Sequence, residues 1–267
     1  MSTVTTTSWR AFLSLVRIEL RLNVREPTGL VVGLGAPVLL IVIFGSIPTF
    51  QTAQDALGGL SPLDLYGPIL MVFTLSMLAL NSLPLRLATY RELGFLRRLA
   101  VTPVQPSRLL LAQLTVHATV AVAAIALILG IGATAYHFRL PGSVPGLIIT
   151  LVLTAAALFP LGLLIASSAP TAKAAGAIGS ILFFALAFSS GLWWPLPLMP
   201  ALLRTVVEKT PTGAAVQALN DTIAGNFPSL TPLSGPRRLR PRLRHPRHPN
   251  LPLGIEETSP RCSMVWP

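Results

Sequence analysis

The stretch that decides the fold is YRELGFLRRLAVTPVQPSRLLLAQL, residues 90–114. It is a basic, helix-forming run interrupted at Pro103, and long apolar segments lie on both sides of it. Outside it the charges vanish in blocks: residues 28–47, 65–85, 109–138, 140–172 and 174–203 contain no Asp, Glu, Lys or Arg. A hydrocarbon core of about 30 Å needs about 20 helical residues at about 1.5 Å each. An arginine at the middle of such a helix costs roughly 2.5–3.5 kcal/mol on insertion scales, so five charge-free intervals of this length are one consistent signal. Composition agrees, with 52% hydrophobic and only 11% charged residues, where a soluble domain carries about 25% charged.

The expected fold is an all-α, polytopic transmembrane helical bundle. Five spans are expected at about 29–47, 65–85, 109–136, 143–169 and 174–192 within a transmembrane domain at 28–230. Arg86, Arg91, Arg97, Arg98 and Arg108 crowd a 23-residue stretch beside a single acid, Glu92, whereas the preceding connection carries Asp55 and Asp64 and no basic residue. Lys and Arg are retained on the cytoplasmic side, which makes 86–108 a cytoplasmic loop and 193–230 an extracellular segment. Residues 1–27 hold a cytoplasmic, interfacial amphipathic helix. Phe12, Leu13, Val16, Leu20 and Val24 recur near the 3.6 period, and Arg10, Arg17, Arg21 and Arg25 supply its wet side. The expected location is the inner (cytoplasmic) membrane of the cell, multi-pass, with the amino terminus in the cytoplasm and lipid as a partner. No signal-peptide pattern opens the sequence.

Within the spans, Pro37 is expected to bend its helix, and the Asn81 amide to seek an interhelical partner. Trp193 and Trp194 stand where a span meets the headgroups, the position amphipathic rings favour. Spans four and five are rich in Ala, Gly and Ser, which lets helix backbones approach closely.

Catalytic signatures are missing. The sequence has no Gly-rich phosphate loop, no H-E-x-x-H and no G-x-S-x-G, and its single cysteine, Cys262, supports neither a disulfide framework nor a thiolate metal cluster. His117 and His137 lie 20 positions apart, about 30 Å along a helix, and cannot share a metal. No metal or cofactor is expected. The net charge of +11 does not point to nucleic acid, because the arginines sit beside apolar spans. The spans also lack the carboxylates of a proton-driven carrier, so a driving force has to be coupled from outside the membrane.

The run YRELGFLRRLAVTPVQPSRLLLAQL, following a span closely, resembles the cytoplasmic loop of ABC-2 type transporter permeases, the membrane subunits of bacterial ABC exporters such as antibiotic-resistance efflux systems. GLWWPLPLMPALLRTVVEKTPTGAAVQAL, residues 191–219, is similar to that family's segment after the fifth span. The resemblance covers roughly residues 9–230. It implies a permease subunit of an ATP-driven exporter of drugs or other hydrophobic or amphiphilic compounds. The permease itself would not be an enzyme: ATP would be bound and hydrolysed by a separate cytosolic ABC ATPase subunit, and the permease would act as a homodimer or paired with a second permease. It further implies that Glu92, Gly94, Arg97, Arg98, Thr102 and Pro103 contact the ATPase. No substrate-binding residue is implied. Two other classes compete: a non-transporting membrane scaffold or degraded permease paralogue, which predicts no ATPase association, and a soluble nucleic-acid binder, which predicts extraction by high salt.

The family pattern continues into a sixth span, expected to begin near Leu230. Residues 231–267 instead form an Arg/Pro-rich tail with six arginines between Arg237 and Arg247, a composition that cannot pack a core. A reading-frame shift or truncation within 229–236 is the expected cause. Translating the other two frames of the gene across this point tests it: an apolar run of about 20 residues is expected, and its absence from both frames rejects the frame shift.

Overall fold

The computed structural model describes residues 3–25, 31–54, 57, 59–94 and 106–225, with the backbone alone at 3–11, 24, 25, 31, 32, 106 and 197. The described regular structure is helical apart from an isolated Gln54–Leu60 bridge. Helix α1 (Thr3–Arg25) comes first, then a π turn (Val31–Gly35) running into α2 (Ala36–Ser46), and a short α3 (Pro48–Gln51). Next, α4 (Pro62–Met77), a second π turn (Leu78–Ser82) and α5 (Leu83–Glu92) form one continuous helical run. Three long helices follow, α6 (Pro106–Ala135), α7 (Val144–Ser168) and α8 (Ala172–Ser189), then α9 (Ala201–Val207) and α10 (Pro211–Ile223).

Among the described residues four helices are long and apolar enough to cross a membrane: Pro62–Glu92, Ser107–Ala135, Val144–Ser168 and Ala172–Ser189. The apolar helix Gly33–Ser46 in the first expected span is shorter, and residues 26–30 lie outside the described ones. The stretch expected as a loop at 86–108 is helical up to Glu92 and again from Pro106, and residues 95–105 between them are outside the described set. The described part of the segment at 193–230 holds the helices α9 and α10. Val207, Ala215, Val216 and Leu219 from it are buried with Tyr66, Ile69 and Val72 of α4 and Leu147 of α7.

The run Pro62–Glu92 is the axis of the bundle. Its most apolar window is 89% buried, against 39%, 33% and 28% in α6, α7 and α8. α2, α6, α7, α8 and α10 all pack against it. Its 31 residues extend about 46 Å, more than a hydrocarbon core of about 30 Å, so its charged final turns stand beyond the apolar layer. At the opposite end Ser61 and Asp64 close a capping box around Pro62. Asp64 Oδ1 also accepts the Arg139 N–H at 2.8 Å, which ties the α6–α7 connection to the start of α4.

Both π turns have the same cause. Proline has no N–H, so a proline leaves the carbonyl four residues earlier without its helical donor, and its ring crowds that carbonyl. For Pro37 and Pro84 the affected residues are Gly33 and Leu80, each the third residue of its π turn. The helix widens to absorb the fault: the Leu83 N–H reaches back five residues to the Leu78 carbonyl. The bend expected at Pro37 thus takes the form of a local widening ahead of it.

The small residues of α7 and α8 find their purpose at the second π turn. A Cβ on Gly162 would overlap the Ala79 carbonyl oxygen, and one on Gly179 would overlap that of Leu80. Only glycine lets these helices lie directly against the widened backbone. One residue on, Ser180 Oγ donates to Asn81 Oδ1 at 3.0 Å, giving the amide its interhelical partner.

These contacts predict opposite outcomes for three alanine substitutions measured by thermal unfolding in detergent. Gly162→Ala and Gly179→Ala push into backbone and are expected to destabilise by about 1–3 kcal/mol. Gly130→Ala in α6, where an added Cβ meets no heavy atom within 4 Å, is expected to stabilise by about 0.8–1 kcal/mol through helix propensity. Equal behaviour of all three would contradict the close approach.

Candidate functional site

The basic end of the axial run gathers most of the described charged side chains that bridge helices. Arg86 and Tyr90 lie one helical turn apart on α5 and meet Glu19 of α1. The Tyr90 hydroxyl is 3.0 and 2.9 Å from the two Glu19 carboxylate oxygens and donates to them, and Arg86 Nη1 lies 3.6 Å from Oε2. The Glu19 side chain is only 5% exposed and that of Arg86 13%. A carboxylate so enclosed is tolerable because a cation and a hydroxyl donor both face it. Asn23, also buried, donates from Nδ2 to the Glu19 carbonyl at 3.1 Å.

Glu19 is not among the residues that the sequence singles out. The face of α1 that packs comprises Phe12, Leu15, Val16, Glu19, Leu20 and Asn23, while Leu13, Arg17, Ile18, Arg21 and Leu22 are exposed. α1 rests on α6, so this face is seated on protein. Phe12, Val16, Glu19 and Asn23 keep the i, i+4, i+7, i+11 spacing of a packed seam with two polar members. That spacing was the available signal. Arg17 and Arg21 lie on the exposed side, and Arg10 and Arg25 are placed by backbone only.

The next two residues of α5 turn to the opposite neighbour. Arg91 Nη1 donates to the carbonyls of Ala166 at 3.2 Å and Ser167 at 3.3 Å, and Nη2 donates to that of Ala169. These are the carbonyls left without donors at the end of α7. Glu92 Oε1 accepts the N–H of Ala172, the first residue of α8, at 2.8 Å. A cation therefore meets the negative end of one helix dipole and an anion the positive start of the next. Gly94 then ends α5 with φ of 65°, its N–H returning to the Arg91 carbonyl at 3.1 Å. A left-handed residue at this position is a glycine helix stop. Of the remaining residues expected to face a partner, Arg97, Arg98, Thr102 and Pro103 lie outside the described residues.

Deeper along the axis, His117 of α6 is buried beside Ser82. The Gln113 carbonyl can only accept, so His117 Nδ1 donates to it at 2.8 Å and Nε2 accepts from Ser82 Oγ at 3.3 Å. At the far end Trp193 and Trp194 are 55% and 45% exposed, with the Phe184 ring 6.2 Å from that of Trp193. Among the described residues no three His, Cys, Asp or Glu side chains converge as a metal site would require.

A family model described as ABC-2 type transporter matches residues 10–223, from the first third of α1 to the last residue of α10. The chain belongs to the ABC-2 type transporter family. This ABC-2 permease is accordingly a multi-pass membrane component of an ABC transporter, a class that associates with an ABC ATPase. Neither the curated proteins nor the solved structures give a match to it. The matched region of the permease ends before the Arg/Pro-rich tail begins at Thr231.

Proposed function

We propose that this permease is the membrane subunit of an ATP-driven exporter in the inner (cytoplasmic) membrane, with its amino terminus in the cytoplasm. Drugs and other hydrophobic or amphiphilic compounds are its substrate class, in keeping with a bundle whose outward surfaces carry exposed Ile, Leu and Phe. A cytosolic ABC ATPase subunit binds and hydrolyses the nucleotide, and the permease works as a homodimer or with a second permease. The observation that carries this reading is the end of α5. It is joined to α1 through Glu19 and to the α7–α8 turn through Arg91 and Glu92, so a push delivered there reaches three other helices. The arginines of 86–108 support a cytoplasmic position for that end. Arg97 and Arg98 offer the charge to pair with carboxylates on the ATPase.

The test is co-purification in detergent with the ABC ATPase subunits of the same cell. A stable complex is expected, and the Arg97→Glu/Arg98→Glu variant is expected to weaken it about tenfold or more, which corresponds to at least about 1.4 kcal/mol. An undiminished complex would remove the coupling role from these arginines. No complex at all would favour a non-transporting scaffold.

A further inference from the structure

The residues resembling an ATPase-facing loop divide into two kinds. Arg91 and Glu92 are adjacent in sequence, yet each is already engaged inside the subunit, one on the last carbonyls of α7 and the other on the first N–H of α8. We propose that Arg91 and Glu92 are positioning residues that clamp the α7–α8 turn to the end of α5 and carry its displacement into that helix pair, without contacting the ATPase. The inference rests on the coupling role assigned above to the end of α5.

Three features support it. The turn is short, with α7 ending at Ser168 and α8 starting at Ala172, so holding both helix ends holds the turn. The charges also match the dipoles they meet: the guanidinium fork spans three carbonyls, and the carboxylate faces a helix start. Exchanging the two residues would oppose both dipoles at unchanged net charge. Finally, α7 and α8 touch the axial run a second time, where Gly162 and Gly179 lie on the carbonyls of Ala79 and Leu80. A helix pair held tightly about two turns in from its gripped end pivots when the grip moves. α7 and α8 are also the least enclosed of the long helices, so their pivoting displaces surface that faces away from the axis.

Glu92 is exposed and Arg91 only half-buried, and contacts at such positions contribute little to folding. The variants are therefore expected to fold, with melting temperatures within about 2–4 °C of the parent, and to fail in transmission only. The reporter is Lys173, exposed on the first turn of α8, replaced as Lys173→Cys in a Cys262→Ser background of the full chain. Its maleimide labelling rate is compared between nucleotide-free and ATP/vanadate-trapped states of the complex with the ATPase. The parent is expected to change rate between the two states. Arg91→Ala, Glu92→Gln and the Arg91→Glu/Glu92→Arg exchange are expected to retain the ATPase but lose that change, and Arg91→Lys to keep part of it. A nucleotide response that persists in Arg91→Ala and in the exchange overturns the clamp, as does its absence from a parent complex that forms. Loss of the ATPase from either single variant also overturns it, since the residues would then be direct contacts. If the parent itself binds no ATPase, the underlying reading fails first, and that outcome is seen before any variant is made.

Discussion

The helical run Pro62–Glu92 crosses the bundle almost without meeting its surroundings. Helices α2, α6, α7, α8 and α10 close around it, and this enclosure determines where its polar groups find partners. In the apolar layer a backbone carbonyl or a side-chain amide turned toward lipid has no donor. The fault created by Pro84 is therefore met within the bundle, by a widened turn that two glycine-bearing helices cover. The Asn81 amide is met by Ser180 and the Ser82 hydroxyl by His117. Enclosure thus converts a proline defect and a few polar side chains into the contacts that fix the register of α6, α7 and α8.

The same constraint acts on charge at the basic end. Arg86 comes one residue after the last uncharged position of its span and is still mostly covered. A covered cation requires a partner, and Glu19 supplies it from α1, with Tyr90 holding the carboxylate by its second contact. One turn farther out the demand relaxes, and Arg91 and Glu92 complete the ends of α7 and α8. Four charged or hydroxyl side chains on a seven-residue stretch of α5, Arg86 to Glu92, thereby join helices that are distant in sequence. On the function proposed above, this is where work arriving from an ATPase would have a short path into the bundle.

Much of this was legible in the sequence. The charge-free intervals marked where the long helices lie, because lipid forbids charge and sets a minimum length, but not all of their ends: the run Pro62–Glu92 continues past the interval 65–85, and α8 stops at Ser189 inside the interval 174–203. Asn81 announced its need for a partner, and the Ala/Gly/Ser-rich stretch announced close packing without saying where. Pro37 and Pro84 marked the π turns in retrospect, although proline alone does not determine this outcome: Pro68 and Pro160 lie inside α4 and α7, which are described as continuous α-helices. What could not be read locally were pairings across long separations. Glu19 meets a tyrosine 71 positions away, and Glu92 meets an N–H 80 positions away. An arginine-rich helix draws attention to its wet face, so the one acid on its packed face passed unnoticed. α10 was missed because its burial depends on Tyr66 and Leu147, residues belonging to two other helices.

The charged end of the enclosed helix is neutralised from within the subunit, by Glu19 on Arg86. A double-mutant cycle on Glu19→Gln and Arg86→Gln, with stability followed by unfolding in detergent, addresses it most directly. Either single change leaves one member of a covered pair without its counter-charge, so the double variant should lose less than the two singles together, with a coupling of about 1–3 kcal/mol. Strict additivity would mean that the two side chains do not depend on each other, and the end of α5 would then be solvated rather than latched.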